Sequence, residues 1–485
     1  MTTSKHTRFG AVETADLRSV EGLQHLDDEF LGDLQAQDQV LHQELLAYRL
    51  PGHGLTPLET SEFLLALAPH VEGFIAGLFG IEQTLLASKR QTLSHDEVMA
   101  FKKNYVMRRA RRYRGEVTQS FAELDDWLNQ QLQKEANPDS DREAAVAHYG
   151  MQLLDVPAIE QLTRWCLLAL RDRQGQEEVK GWISFKLPQR VDHADLVPLQ
   201  RVDVDKESIG AWQSAPEKLR RRDGFKLTDQ RMSAREVQNE AHYCIYCHNH
   251  EGDYCSKGFP CKKGDPGQGF KTDPFGITLT GCPLEEKISE MHQLKRDGRT
   301  IAALAMAMAD NPMIPATGHR ICNDCMKACI YQKQDPVNIP QIETRILTDV
   351  LILPWGVEIY DLLTRWNPLR HTQYLPKPYN GHKVLIVGQG PAGFTMAHHL
   401  TMEGCAVVGI DGLKIEPLPE DLLKKPVRDY ADLAESLDTR ILTGFGGVAE
   451  YGITVRWDKN FLKLIYLSLA RRPAFQVFGG VRLGG

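Results

Sequence analysis

Eight cysteines lie between positions 244 and 329 of this 485-residue chain, and their spacing suits metal chemistry. They run Cys244-x2-Cys247-x7-Cys255-x5-Cys261-x20-Cys282-x39-Cys322-x2-Cys325-x3-Cys329. Cluster iron needs soft, anionic sulfur ligands, and four thiolates hold one cubane, so this set is enough for two four-iron clusters. Two C-x2-C pairs place ligands on tight turns, and Pro283 directly after Cys282 suits the end of a cluster-binding loop. Structural zinc held by four thiolates fits the same pairs, and spacing alone leaves both metals open. Buried free thiols are the blandest reading and a poor one at this density. Cys166 and Cys405 sit in apolar helical surroundings and read as core residues.

The second chemical signal is Gly388-Gln-Gly390-Pro391-Ala392-Gly393, a G-x-G-x-x-G turn. An apolar strand from Lys383 precedes it and a helix, Pro391 to Glu403, follows, which is the context the motif requires. The first glycine makes the turn, the second admits a pyrophosphate, and the third lets helix and strand pack closely. Helix amides then face the phosphates. A second strand, Ala406 to Ile410, ends at Asp411, where an acidic side chain reaches an adenosine ribose. The pattern alone does not separate FAD from NAD.

These residues need scaffolding, and the chain reads as four regions. Residues 1–175 form a mainly α N-terminal region by their helical apolar spacing, with the stretch Phe63 to Ile81 read as a buried helix pair. Residues 176–232 are a mixed connector, with Trp182 to Leu187 as a short strand. Residues 233–373 form an α-helical cysteine domain, opened by a capping box at Ser233 and Glu236. Gln341 to Leu353 fits helix or strand. After a Pro-rich hinge from Tyr374 to Gly381, residues 374–485 begin a partial α/β Rossmann-type unit on a buried strand.

Composition narrows the function. A net charge of −7 leaves no broad footprint for nucleic acid or anionic membrane, and the basic runs Arg108–Arg114 and Arg220–Arg222 read as solvated faces. No secretory leader precedes the first helices, so a cytoplasmic location is expected and disulfides are disfavoured. His42, His53, His70, His95 and His148 are scattered, and no acid–base or nucleophilic constellation stands out.

Cysteine groups directly before a dinucleotide fold resemble the small subunit of bacterial glutamate synthase and the N-terminal part of dihydropyrimidine dehydrogenase. Roughly residues 233–485 carry the resemblance. Its motifs are Cys244-Ile-Tyr-Cys247, Gly281-Cys282-Pro283-Leu284, Arg320-Ile-Cys322 with Cys325 and Cys329, Pro336-Val-Asn-Ile339, and Gly446-Gly447 with Tyr451-Gly-Ile453. Thr454 stands where that family has proline. The resemblance implies two [4Fe-4S] clusters with interleaved ligands. One cluster takes Cys244, Cys247, Cys329 and either Cys255 or Cys261. The other takes Cys282, Cys322, Cys325 and a non-cysteine ligand at about Glu343, which is not needed if both Cys255 and Cys261 serve. The G-P-A-G form implies FAD, with Gly447 and Tyr451 in the later FAD segment. NAD(P)H would bind a missing or partner module, because the sequence stops inside the FAD domain. The implied function is electron transfer between reduced flavin and the clusters. A zinc-stabilised scaffold with a vestigial nucleotide fold is the alternative.

Overall fold

The computed structural model describes residues 16–133, 141–197, 199–202, 210–214, 230–250, 252–262, 265–317, 322–412, 415–436, 458 and 460–484. The protein is mostly helical with small sheets. Arg220–Arg222, Arg320, Gly447 and Tyr451 lie outside the described residues.

Two apolar cores organise the helices. Buried side chains of residues 17–85 share one core with residues 237–475. Residues 98–187 close on a second core around Trp165, which Phe121, Trp182 and Phe185 surround at centroid distances of 5.8–5.9 Å. The first core thus runs from the N-terminal helices through the cysteine region to the parallel sheet, and the second interrupts it in sequence but not in space.

The expected helix pair at 63–81 is one helix, Pro57–Phe79, with Pro69 inside it. A capping box from Thr56 and Glu59 starts it and left-handed Gly80 ends it. It is the one described helix long and apolar enough to cross a membrane, yet Glu72 in its middle is only 3% exposed and engaged elsewhere. The Glu72 carboxylate accepts from the Ile301 and Ala302 amides at 2.9 and 3.1 Å. Those are orphan donors at the start of the helix Thr300–Asp310, where a negative charge is also favoured by the helix dipole.

The expected strand at Trp182–Leu187 is a run of turns instead. Trp182 and Phe185, three residues apart, must both reach Trp165, and the Glu143 carboxylate takes the Ser184 amide at 2.6 Å. A strand would send those rings to opposite faces. Of Gln341–Leu353, residues up to Leu351 are helix, in Ile339–Leu351, and Ile352 caps its end. Arg108, Arg109, Arg111, Arg112 and Arg114 are exposed.

Lys383–Val387, Ala406–Asp411 and Phe475–Gly479 pair side by side in parallel, with the helix Pro391–Met402 crossing between the first two. The first strand is not fully buried, because helices cover one sheet face only. Leu385, Val387, Val408 and Phe478 lie on the other face and are exposed. The Pro-rich hinge is pinned rather than loose: Lys377 and Asn380 amides donate to Met402 and Gly404 carbonyls at 2.8 and 3.0 Å.

Candidate functional site

The capping box at Ser233 starts the helix Ala234–Tyr243, which delivers Cys244 at its C-cap. Left-handed Tyr246 then turns the chain so that Cys247 follows on a short 3-10 segment. Burial pushes both thiols up to about 12, and each is raised further by Cys329. Burial likewise pushes Cys255 well up, followed by the charges of Asp253, Cys244, Cys329 and Cys247. These four sulfurs therefore form one electrostatic group. Cys261 lies exposed on the strand Pro260–Lys262.

The second group follows the same pattern. Cys325 is buried and raised well above the usual thiol range, first by burial and then by Glu343, Glu286, Cys282 and Cys322. Cys282 is pushed up to about 12 by burial, with Glu286 and Glu343 adding to it. Cys322 rises by burial, with Asp324, Glu343 and Glu286 acting in the same direction. Glu343 sits on the helix Ile339–Leu351 and is itself raised well above the carboxylate range, by burial and then by Glu286.

The two groups adjoin. The Cys282 amide donates to the Cys255 carbonyl at 2.9 Å and to the Ser256 carbonyl at 3.0 Å. Gly281, just before it, has φ 77°, and a β-carbon there would lie 2.4 Å from the Gly258 nitrogen. Only glycine fits, which is the physical content of the Gly281-Cys282-Pro283 motif.

Backbone amides near the sulfurs counter the effect of burial. Tyr246 N–H serves Cys244, Glu286 and Leu284 serve Cys282, Asp324 serves Cys322, and Ile330, Tyr331 and Val337 serve Cys329. Each donor favours the thiolate, opposing burial. Amide groups near sulfur are among the levers that set the potential of a thiolate-bound cluster. Soft donors, burial and aligned amides make a donor set that fits iron–sulfur clusters. Among the described residues, no three His, Cys, Asp or Glu side chains converge closely enough for a single metal ion.

At the glycine turn, Gly388 has φ 100°, and a β-carbon on Gly388 or Gly390 would meet only open space. On Gly393 it would fall 2.0 Å from the Gly388 carbonyl oxygen. Gly388 and Gly390 thus leave a cradle beside the start of the helix Pro391–Met402, Pro391 and Ala392 begin that helix, and Gly393 seats it on the strand. Asp411 Oδ2 accepts from the Gln389 amide at 2.7 Å, which fixes the turn from the end of the neighbouring strand. The geometry fits a dinucleotide phosphate.

Spacing did not single out Glu286. It stands four residues after Cys282, and only its burial and its charge on three cysteines mark it. Asp253 was also unmarked; burial and Glu290 push it up to about 7 beside the first group.

The model of the RP005 N-terminal alpha-helical domain matches residues 8–80. Uncharacterized protein RP006 of Rickettsia prowazekii is 56% identical over 172 residues, which is 36% of this chain and 24% of that protein. Uncharacterized protein RP005 of the same organism is 29% identical over 288 residues, 56% of this chain and 93% of that protein. The glutamate synthase [NADPH] small chain of Mycobacterium tuberculosis is 32% identical over 152 residues, 30% of this chain and 28% of that protein. The chain thus spans about a quarter of RP006 and of the synthase small chain, and nearly all of RP005. It has partial, oxidoreductase-related similarity to glutamate synthase small chains.

Proposed function

We propose that the chain is an electron-transfer module of an FAD- and iron–sulfur-dependent oxidoreductase. Cys244, Cys247, Cys255 and Cys329 hold one [4Fe-4S] cluster, and Cys282, Cys322, Cys325 and Glu343 hold the other. The glycine turn from Gly388 to Gly393, with Asp411, takes FAD. The observation that carries this reading is the interleaving itself: cysteines distant in sequence gather into two adjacent groups, buried or half-buried, with backbone amides near their sulfurs. The partial similarity to glutamate synthase small chains supports it. Bound there, the flavin would accept a hydride's two electrons from NAD(P)H on a further module, and the clusters would carry them singly to a partner.

The chain's own part is positional. Gly281 and the amide of Cys282 hold the two sulfur groups against each other, which keeps a one-electron path short. Burial keeps water from Cys247, Cys255, Cys325 and Cys329, and the amides near the sulfurs influence how readily negative charge is tolerated there. No side chain needs to act as a general acid or base.

The test is iron, sulfide, zinc and flavin content of anaerobically purified protein, with its visible spectrum. About eight irons and eight sulfides per chain are expected, the content of two cubanes. Stoichiometric zinc without iron, reproduced after iron-replete expression, overturns the proposal and leaves a zinc-stabilised scaffold.

A further inference from the structure

The second sulfur group contains two buried carboxyls, whereas the resemblance implied one. Glu286 is 4% exposed. Its Oε1 accepts from Asn311 Nδ2 at 2.8 Å, and its Oε2 is buried with no hydrogen-bond partner. Its backbone amide lies near the Cys282 sulfur, four residues along the chain, where it favours the thiolate. Glu286 lies within electrostatic reach of Cys282, Cys322, Cys325 and Glu343. The nearby cation, Lys287, binds both oxygens of Asp310 at 2.9 Å. Two buried carboxyls near three thiols without a dedicated cation make an expensive arrangement, because burial disfavours every charged form. A bound metal centre offsets that cost.

We propose that Glu286 supplies an oxygen ligand to the second cluster, sharing with Glu343 the iron that has no cysteine. The proposal rests on the iron–sulfur reading above. It assigns that iron two carboxylates, one from the loop after Cys282 and one from the helix Ile339–Leu351.

Glu286→Gln is the informative variant. It keeps the oxygen that accepts from Asn311 and replaces the unpartnered oxygen with an amide NH2, which does not ligate iron. Three proteins are compared with wild type: Glu286→Gln, Glu343→Gln and the double variant. Each is assayed for iron and for the electron paramagnetic resonance spectrum of the reduced protein. Each single variant should keep about eight irons and shift the signal of one cluster, and the double variant should fall to about four, one cubane remaining. That remaining cluster also shows that the fold survives. An unchanged spectrum in Glu286→Gln, together with a double variant identical to Glu343→Gln, overturns the proposal and leaves the iron–sulfur reading standing. Zinc without iron in wild type overturns both. If Glu286→Gln loses all iron, Glu286→Cys decides: eight irons with a shifted spectrum sustain ligation at this position, and eight with an unshifted one overturn it.

Discussion

Cys255 and Cys261 are six positions apart and meet opposite surroundings. Cys255 is buried among Cys244, Cys247, Cys329 and Asp253, while Cys261 is exposed on a short strand. The resemblance left the choice between them open, because the loop offers both at workable spacing. Fold context favours Cys255: its carbonyl accepts the amide of Cys282, so it sits at the junction of the two groups. Serine at a ligand position offers a neutral hydroxyl in place of an anionic, soft thiolate. Cys255→Ser should therefore cost about four of eight irons and Cys261→Ser none, read by iron and sulfide analysis. Equal losses in both variants would move the ligand assignment to the loop as a whole. Glu286 shows the limit of reading residues from spacing. An acidic residue after a Cys-Pro step carries no signal in one sequence, and only burial separates it from its exposed neighbour Glu285.

At the scale of elements, the turn between Lys383–Val387 and the helix Pro391–Met402 was legible because glycine requirements are local. Each glycine has one backbone reason that sequence context supplies. The reasons differ, and so do the expected variants. Gly393→Ala drives a β-carbon into the Gly388 carbonyl, 2.0 Å away, and lifts the helix off the strand. Overpacking of this kind costs about 1–3 kcal/mol or more, visible as a lower urea midpoint. Gly390 has φ −85° and open space where its β-carbon would point, so Gly390→Ala should leave stability within about 0.5 kcal/mol. It should still weaken flavin binding in a fluorescence titration, because the methyl occupies the cradle. A Gly390→Ala protein as unstable as Gly393→Ala would deny the glycine its binding role. Elements whose shape depends on distant partners were harder to read. Trp182–Leu187 has strand composition, but Trp165 and Glu143, both well upstream, hold it in turns. The alternation of Lys383–Val387 was hidden for the same reason. All of its central residues are apolar, and only the placement of the helices shows that Leu385 and Val387 stay exposed.

For the whole molecule, the decisive fact is that the N-terminal helices share a core with the cysteine region rather than standing beside it. Periodicity marked those helices but could not assign their partners, which lie more than 200 positions away. Asp27 joins Arg49 through two bonds at 2.7 and 2.8 Å and accepts from Trp366 Nε1 at 2.9 Å, while Phe30 packs edge-on to Trp366 at 5.6 Å. Glu72 caps the helix Thr300–Asp310, which runs into the Asn311 that holds Glu286. The N-terminal region is thereby connected to the second sulfur group through a single helix. Glu72→Ala would leave two buried amides unsatisfied, at about 1–3 kcal/mol each when no water enters. The loss should appear as a lower urea midpoint for the core that contains Trp366. The second core packs its own Trp165, Trp182 and Phe185, and its tie to the rest runs elsewhere, through Lys102 to Asn239 at 2.6 Å and Arg235 to Glu143 at 2.8 Å. Its midpoint should move less. Fluorescence of variants retaining either Trp366 or Trp165 separates the two transitions. Equal shifts at both would mean that the two cores unfold as one unit, and an unmoved Trp366 transition would mean that the N-terminal helices do not brace the cysteine region.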